Sequence, residues 1–144
     1  MDMATEVSIE IDAPIEAVWA DLANLDSHIE WMADAESLTY RTDQKVGVGT
    51  VIEVLTKVGP LKTIDVLTFT AWEPPHTMIA THSGVVKGEG LFTLTDLGGG
   101  RTRFTWAEKL DMPWYFGGRL LRPISEPVLR QIWKKNLQRL ATRF

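Results

Sequence analysis

The chain contains no cysteine. That excludes disulfides, a thiol nucleophile and thiolate metal ligands. It also lacks an apolar run of the roughly 18 residues that a membrane-spanning helix needs, so no membrane span is expected. The first residues, Met1-Asp-Met-Ala-Thr-Glu-Val7, are acidic and carry neither the basic start nor the apolar centre of a signal peptide. The expected location is therefore cytoplasmic. Histidine is scarce, at His28, His76 and His82 only, with no close acidic spacing, and no metal site is expected. Basic charge is in deficit: 15 Lys and Arg face 19 Asp and Glu, a net charge of −4, which argues against nucleic acid as a partner. The glycine clusters Gly47-Val-Gly49 and Gly98-Gly-Gly100 match neither a phosphate-binding loop nor a dinucleotide fingerprint, and read as hairpin turns. No G-x-S-x-G motif and no evident Ser/His/Asp set is present. No cofactor is implied. Internal repeats, linkers and low-complexity tracts are absent as well.

What remains is ordinary in bulk. With 144 residues, 44% apolar and 24% charged, the chain is expected to form a single domain over residues 1–144 and to bury a sizeable core. The unusual item is tryptophan, at Trp19, Trp31, Trp72, Trp106, Trp114 and Trp133. Two readings stand: a tryptophan-rich core, or an aromatic-lined cavity.

The C-terminal stretch carries the clearest pattern. Leu129, Ile132, Trp133, Leu137, Leu140 and Phe144 recur at helical spacing, while Arg130, Gln131, Lys134, Lys135, Gln138 and Thr142 occupy the other side. A helix of the stretch from Pro123 to Phe144 spans roughly 30 Å and needs a broad cover for its apolar stripe. The preceding residues supply one. Val7, Ile9 and Ile11 alternate with polar residues in a first strand. Asp12-Ala13-Pro14 reads as a helix start with Asp12 available for capping, followed by the stripe Ile15, Val18, Trp19 and Leu22. A second short helix is expected from Asp26 or Ser27, carrying Ile29, Trp31 and Met32. Six strands follow, over residues 38–42, 50–57, 62–72, 77–82, 86–95 and 101–110, separated by closely spaced turns that indicate an antiparallel meander. The expected fold is α+β: a seven-stranded curved antiparallel sheet wrapped around a long C-terminal helix, with two short helices after the first strand. A curved sheet and a straight helix do not mate everywhere, so a ligand cavity is expected between them.

In this arrangement the sequence resembles the START/Bet v1-like (SRPBCC) superfamily with its helix-grip fold, and within it the polyketide cyclase/dehydrase and lipid-transport branch. The resemblance rests on Ile9-Glu-Ile-Asp-Ala-Pro-Ile-Glu-Ala-Val-Trp19, Val46-Gly-Val-Gly-Thr50, Trp72-Glu-Pro-Pro75, Gly88-Glu-Gly-Leu-Phe-Thr-Leu94 and Gly100-Arg-Thr-Arg-Phe-Thr-Trp106. It covers essentially the whole chain. These are turn and core positions, specific for fold and uninformative about chemistry. The resemblance implies a hydrophobic cavity between sheet and helix, and a small hydrophobic, polyketide-, lipid- or aromatic-like ligand. Members of the superfamily range over cyclases, carriers, sensors and co-chaperone-like domains. The expectation is ligand binding with cyclisation or dehydration as a possible reaction. The alternatives are a non-catalytic carrier or sensor and a partner-binding domain. A monomer or homodimer is expected.

Strand alternation selects the polar residues that share a face with apolar ones. In the last strand Thr102, Phe104, Trp106, Glu108 and Leu110 share a face, which turns Glu108 toward the interior or its mouth. A carboxyl in an apolar pocket has its pKa raised, which suits a general acid or base. The competing reading has Glu108 at the strand end reaching water, or paired with Arg119 or Arg122. In the long middle strand Asp65, Leu67, Phe69 and Ala71 share one face and Ile64, Val66, Thr68, Thr70 and Trp72 the other. Which face points inward is open, and Asp65 is a second interior carboxylate only if the Phe69 face does. His82 shares a face with Met78 and Ala80, and a neutral imidazole beside Glu108 or Asp65 makes a proton-transfer pair. His28 and His76 are expected at the surface. Glu108, Asp65 and His82 are thus the catalytic candidates. Trp31, Phe69, Met78, Phe92, Phe104, Trp106, Trp114, Tyr115 and Asn136 are the ligand-binding candidates. Asn136 enters because its amide falls inside the apolar stripe and needs a partner.

Overall fold

The structure, a computed structural model, describes residues 2–58, 60–84, 87–111 and 118–144 and, within the last helix, side chains from Pro127 onward. Seven strands are ordered β1-β7-β6-β5-β4-β3-β2 in one sheet: β1 (Asp2–Ile11), β2 (Ala35–Tyr40), β3 (Val51–Val58), β4 (Leu61–Glu73), β5 (Thr77–Ser83), β6 (Lys87–Gly98) and β7 (Arg101–Asp111). Every pairing is antiparallel. Consecutive strands from β2 to β7 are neighbours, as short turns dictate, and β1 closes onto β7 at the far end. The sheet curves into a half-barrel, with α3 (Gly118–Ala141) against it and the short helices α1 (Ile15–Ala23) and α2 (His28–Trp31) between β1 and β2.

The helical stripes bury as their spacing requires. Ile15, Val18, Trp19 and Leu22 of α1 are buried, and so are Trp133, Leu137 and Leu140 of α3. Phe144 departs from the pattern: α3 ends at Ala141 and Phe144 is exposed. Asp12 does not cap α1. Pro14 is the cap residue, in extended conformation, and its carbonyl accepts from the amides of Ala17 and Val18. A 3-10 turn (Leu25–Ser27) precedes α2.

Each inward strand face is continuous across the sheet. Thr102, Phe104, Trp106, Glu108 and Leu110 are buried on β7, alternating with more exposed residues. Phe69 is 5% exposed while Ile64 is 50% exposed, so the Phe69 face of β4 points inward and carries Asp65 with it. Strict alternation fails further along. A bulge between Phe69 and Ala71 inserts Thr70 as an extra residue. The register shift turns Trp72 onto the inner face, against Trp19 at 5.9 Å and Phe69 at 5.3 Å. Trp72 therefore packs, partly buried, against the core, not on the outer face that an unbroken period of two assigns it. His28 is a second departure. It is 7% exposed, and its Nε2–H donates to the Leu22 carbonyl at 2.7 Å. Burial lowers its pKa and favours the neutral ring. The helix turn that was expected to expose it instead folds it under β6, 5.8 Å from Phe92.

Candidate functional site

Three polar residues meet on the inner face of the sheet. Glu108 of β7 stands opposite Gly90 of β6, and His82 of β5 stands opposite Gly88. Both intervening positions lack a side chain. Glu108 crosses the backbone of Gly90, where a Cβ would lie 2.9 Å from its Oε1. Its Oε2 then accepts a hydrogen bond from His82 Nε2 at 3.0 Å. A side chain at Gly90 would block that reach. Gly88 is constrained in its own right, with φ at +141° and the Lys109 carbonyl packed where a Cβ would be.

The carboxylate is held from a second side. Trp106 Nε1–H, two residues back on the same face of β7, donates to Glu108 Oε1 at 2.9 Å. Indole is a donor only, so both carboxylate oxygens are engaged as acceptors. Trp106 is in turn fixed by Trp133 of α3 at 5.3 Å and Phe92 at 5.5 Å. Trp31 packs at 6.0 Å from Trp106 and 6.3 Å from Phe104, and is 1% exposed. Trp106 meets Phe92 and Trp31 edge-to-face, as Trp31 meets Phe104, and its contact with Trp133 is tilted, arrangements that aromatic rings favour.

Asp65 completes the group. Its Oδ2 accepts from Thr56 Oγ1 of the adjacent β3 at 3.1 Å. Leu67 is the residue of β4 opposite His82, which places Asp65 one inward step along, diagonal to the imidazole. Burial raises the Asp65 pKa, partly offset by the charge of His82 and the Thr56 bond, with Glu108 and Asp34 reinforcing the rise. For His82, burial by itself lowers the pKa, but the Glu108 hydrogen bond and the charges of Glu108 and Asp65 outweigh it and the net shift is upward. Among the described residues, His82 Nδ1 and Asp65 Oδ1 are buried without a hydrogen-bond partner.

Sequence reasoning nominated Glu108, Asp65 and His82, with His82 paired to one carboxylate or the other, and the fold brings all three onto one stretch of the inner face. It also gathers Trp31, Phe92, Phe104 and Trp106 into one aromatic cluster, with Phe69 and Met78 buried on β4 and β5. Asn136 lies elsewhere. It is fully buried, with Oδ1 accepting from Ala33 N at 3.0 Å and Arg139 Nη2 at 2.7 Å, and Nδ2 donating to Asp34 Oδ1 at 2.8 Å. Its amide ties α3 to the turn after α2. Trp114 and Tyr115 lie outside the described residues, as do the side chains of Arg119 and Arg122. Three contributors went unnoticed in the sequence: Trp106 as the donor to Glu108, Thr56 as the partner of Asp65, and Gly90 as the gap. Gly90 was findable, since the β6–β7 hairpin counted back from its glycine turn sets it against Glu108. Among the described residues no group of three or more His, Asp or Glu side chains is placed to hold a metal ion. No helix among them is long and apolar enough to cross a membrane.

A seven-stranded curved antiparallel sheet gripping a C-terminal helix, with short helices after the first strand, is the helix-grip fold of START/Bet v1-like proteins. The chain belongs to the family described as polyketide cyclase/dehydrase and lipid transport, whose model matches residues 3–144. No curated protein matches it by sequence. Among solved structures, a protein from Thermus thermophilus has a TM-score of 0.85 at 18% identity, over 98% of this chain and 96% of its own. An aromatase/cyclase from Streptomyces has a TM-score of 0.81 at 14% identity, over 99% and 93%. A START superfamily protein from Mycobacterium smegmatis reaches 0.71 at 12% identity, over 96% and 92%. At such identities the likeness establishes the fold alone.

Proposed function

We propose that the protein binds a small hydrophobic molecule between the inner face of the sheet and α3, and that His82 moves a proton on it. The observation that carries this reading is the buried His82–Glu108 pair with Asp65 beside it. A carboxylate can only accept, so Glu108 holds the His82 proton on Nε2 and leaves Nδ1 as the basic atom of the neutral ring. Glu108 thereby acts as a positioning residue and His82 as the base, in place of the direct acid–base role first expected of Glu108. The reaction that suits them is aldol-type cyclisation with loss of water, the chemistry suggested by the family description and by the Streptomyces aromatase/cyclase of similar fold. His82 Nδ1 takes a proton from the carbon between two carbonyls. The C–H electron pair becomes the enolate, whose carbon attacks a second carbonyl of the same chain. The resulting alkoxide recovers the proton from the imidazolium; the new hydroxyl and the second proton of the attacking carbon then leave as water, and a C=C bond forms between the two carbons. The sequence is redox-neutral and needs no external oxidant or reductant. Holding the two reacting carbons together supplies much of the rate, by confining a flexible chain.

The first step has a direct assay. Benzoylacetone in D2O exchanges the protons of its central carbon, and NMR follows the loss. Wild-type protein is expected to accelerate exchange, and His82→Gln to abolish the acceleration while binding persists by tryptophan fluorescence. Binding without accelerated exchange overturns the catalytic part and leaves a carrier or sensor. Absence of binding to benzoylacetone and to a panel of fatty acids and flavonoids overturns the ligand reading and favours a partner-binding domain.

A further inference from the structure

We infer that Asp65 Oδ1 and His82 Nδ1 form a hydroxyl-reading subsite, and that the molecule this protein takes presents a phenolic or enolic O–H to it. The inference rests on the ligand-binding reading above and deepens it: the one lone pair of Nδ1 receives the O–H of the bound phenol or enol and meets the C–H only in the keto tautomer, and loss of either proton from a 1,3-dicarbonyl gives the same enolate. Within the Glu108–His82–Asp65 group the other side-chain polar atoms already have partners, while Trp31 Nε1 on the ring side is a further buried atom without one. Glu108 Oε2 is taken by His82 Nε2 and Oε1 by Trp106 Nε1. Asp65 Oδ2 is taken by Thr56 Oγ1. The two atoms left over, Asp65 Oδ1 and His82 Nδ1, are buried and have no partner among the described residues. Leaving a buried polar atom unpaired is costly, about 1–3 kcal/mol, so a pair of them on neighbouring strands points to a group supplied from outside the chain.

The chemistry of that group follows from the donors and acceptors. With its proton held on Nε2 by Glu108, the neutral imidazole offers a lone pair at Nδ1. An ionised Asp65 offers another at Oδ1. Both are acceptors, so the complementary group is a donor. Asp65 sits on the inward diagonal of the Leu67–His82 pair, a spacing of about 7–8 Å between backbones that two side chains can span around one small polar group. A carboxylate ligand is disfavoured there, since Asp65, Glu108 and Asp34 already crowd negative charge onto the site. The surroundings on the β7 side are rings, Trp106 with Phe92 and Trp31, which suit a flat aromatic body. A neutral aromatic or enolised molecule with a free O–H meets all three conditions.

The test uses two probes of nearly equal size. 2-Naphthol can donate a hydrogen bond; 2-methoxynaphthalene can only accept. Binding is read by quenching of tryptophan fluorescence at pH 8.5, above the ordinary histidine range. The wild-type protein is expected to prefer 2-naphthol by about tenfold or more, because a site built around a hydroxyl rejects the analogue without it. Asp65→Ala is expected to bring the ratio to within about threefold while 2-methoxynaphthalene still binds. Should that variant fail to fold, Thr56→Val keeps the carboxylate but removes the bond that aims it, and is expected to lower the ratio in the same direction. Equal binding of both probes to the wild type overturns the hydroxyl subsite and leaves the ligand-binding reading standing. Failure of both probes to bind overturns the hydroxyl subsite, and the ligand-binding reading falls with it only if benzoylacetone and the fatty acid and flavonoid panel fail as well.

Discussion

At the scale of single residues, His82 is the most informative position. It faces Glu108 from β7 and Asp65 from β4, and together they raise its pKa against the opposing effect of burial. Removing the Glu108 charge leaves burial dominant. Glu108→Gln is therefore expected to bring the His82 titration, followed by its ring C–H signals in NMR, from above 6.5 to below it. An unchanged titration would show that Glu108 does not govern the ring. Because the folded-state pKa of His82 is raised, its contribution to stability is fully present below pH 6.5 and is lost as pH rises through the folded value. Asp65 acts in the same sense for a different reason. Its carboxyl is disfavoured as an anion by burial, so the folded state binds that proton more tightly than the unfolded chain. Stability then falls as pH rises from 3.8 through the folded pKa. Asp65→Asn removes the buried charge and is expected to raise the thermal midpoint at pH 8 by a few degrees while weakening 2-naphthol binding. A lowered midpoint would indicate that the charge stabilises the fold.

At the scale of elements, the site depends on a gap in a strand. β6 carries Gly88 and Gly90 where its neighbours carry His82, Ala80, Glu108 and Leu110. Glycine in a strand interior usually weakens it, having no side chain to pack. Here the missing side chain is the passage by which Glu108 on β7 reaches β5 across an intervening strand. A methyl at Gly90 would meet Glu108 Oε1 at 2.9 Å. Gly90→Ala is expected to cost about 1–3 kcal/mol in urea unfolding, as overpacking does, and to lower the His82 pKa as Glu108→Gln does. Retention of the wild-type titration by that variant would show that the carboxylate has another route. The bulge at Thr70 is the second device at this scale. It breaks the period of β4 once and moves Trp72 from the outer to the inner face. Such a break has no composition signal, which is why alternation misplaced Trp72 while placing Asp65 and Phe69 together.

At the scale of the whole molecule, α3 must be held in one place for Trp133 to support Trp106. Asn136 does this through Ala33 N and Asp34 Oδ1, and the Asp34 carbonyl accepts from Lys57 N of β3 at 2.7 Å. Arg139 adds a bond to the Trp31 carbonyl at 3.3 Å. Arg143 grips Asp21 of α1 with two bonds of 2.8 Å, though it is more exposed and contributes less. Asn136→Ala strands the Ala33 amide and is expected to cost about 1–3 kcal/mol in urea unfolding. A smaller near-UV circular dichroism signal from the tryptophan cluster should accompany it. A variant with unchanged stability would show that water takes over the amide's bonds and that packing alone holds α3.

The sequence by itself determined the elements and, apart from β4, whose inward face it left open, the faces they turn to the core. Residue periods of two and of 3.6 are local properties, so the strand β7, the stripe of α3 and the inward placement of Glu108 were legible without a fold. The buried His28, the inward Trp72 and the engaged Asn136 were not, because each depends on which distant backbone or ring arrives next to it. The tertiary structure alone decided that Glu108, His82 and Asp65 share one site. They lie on β7, β5 and β4, and only strand register across the glycine gap of β6 brings them within reach of one another.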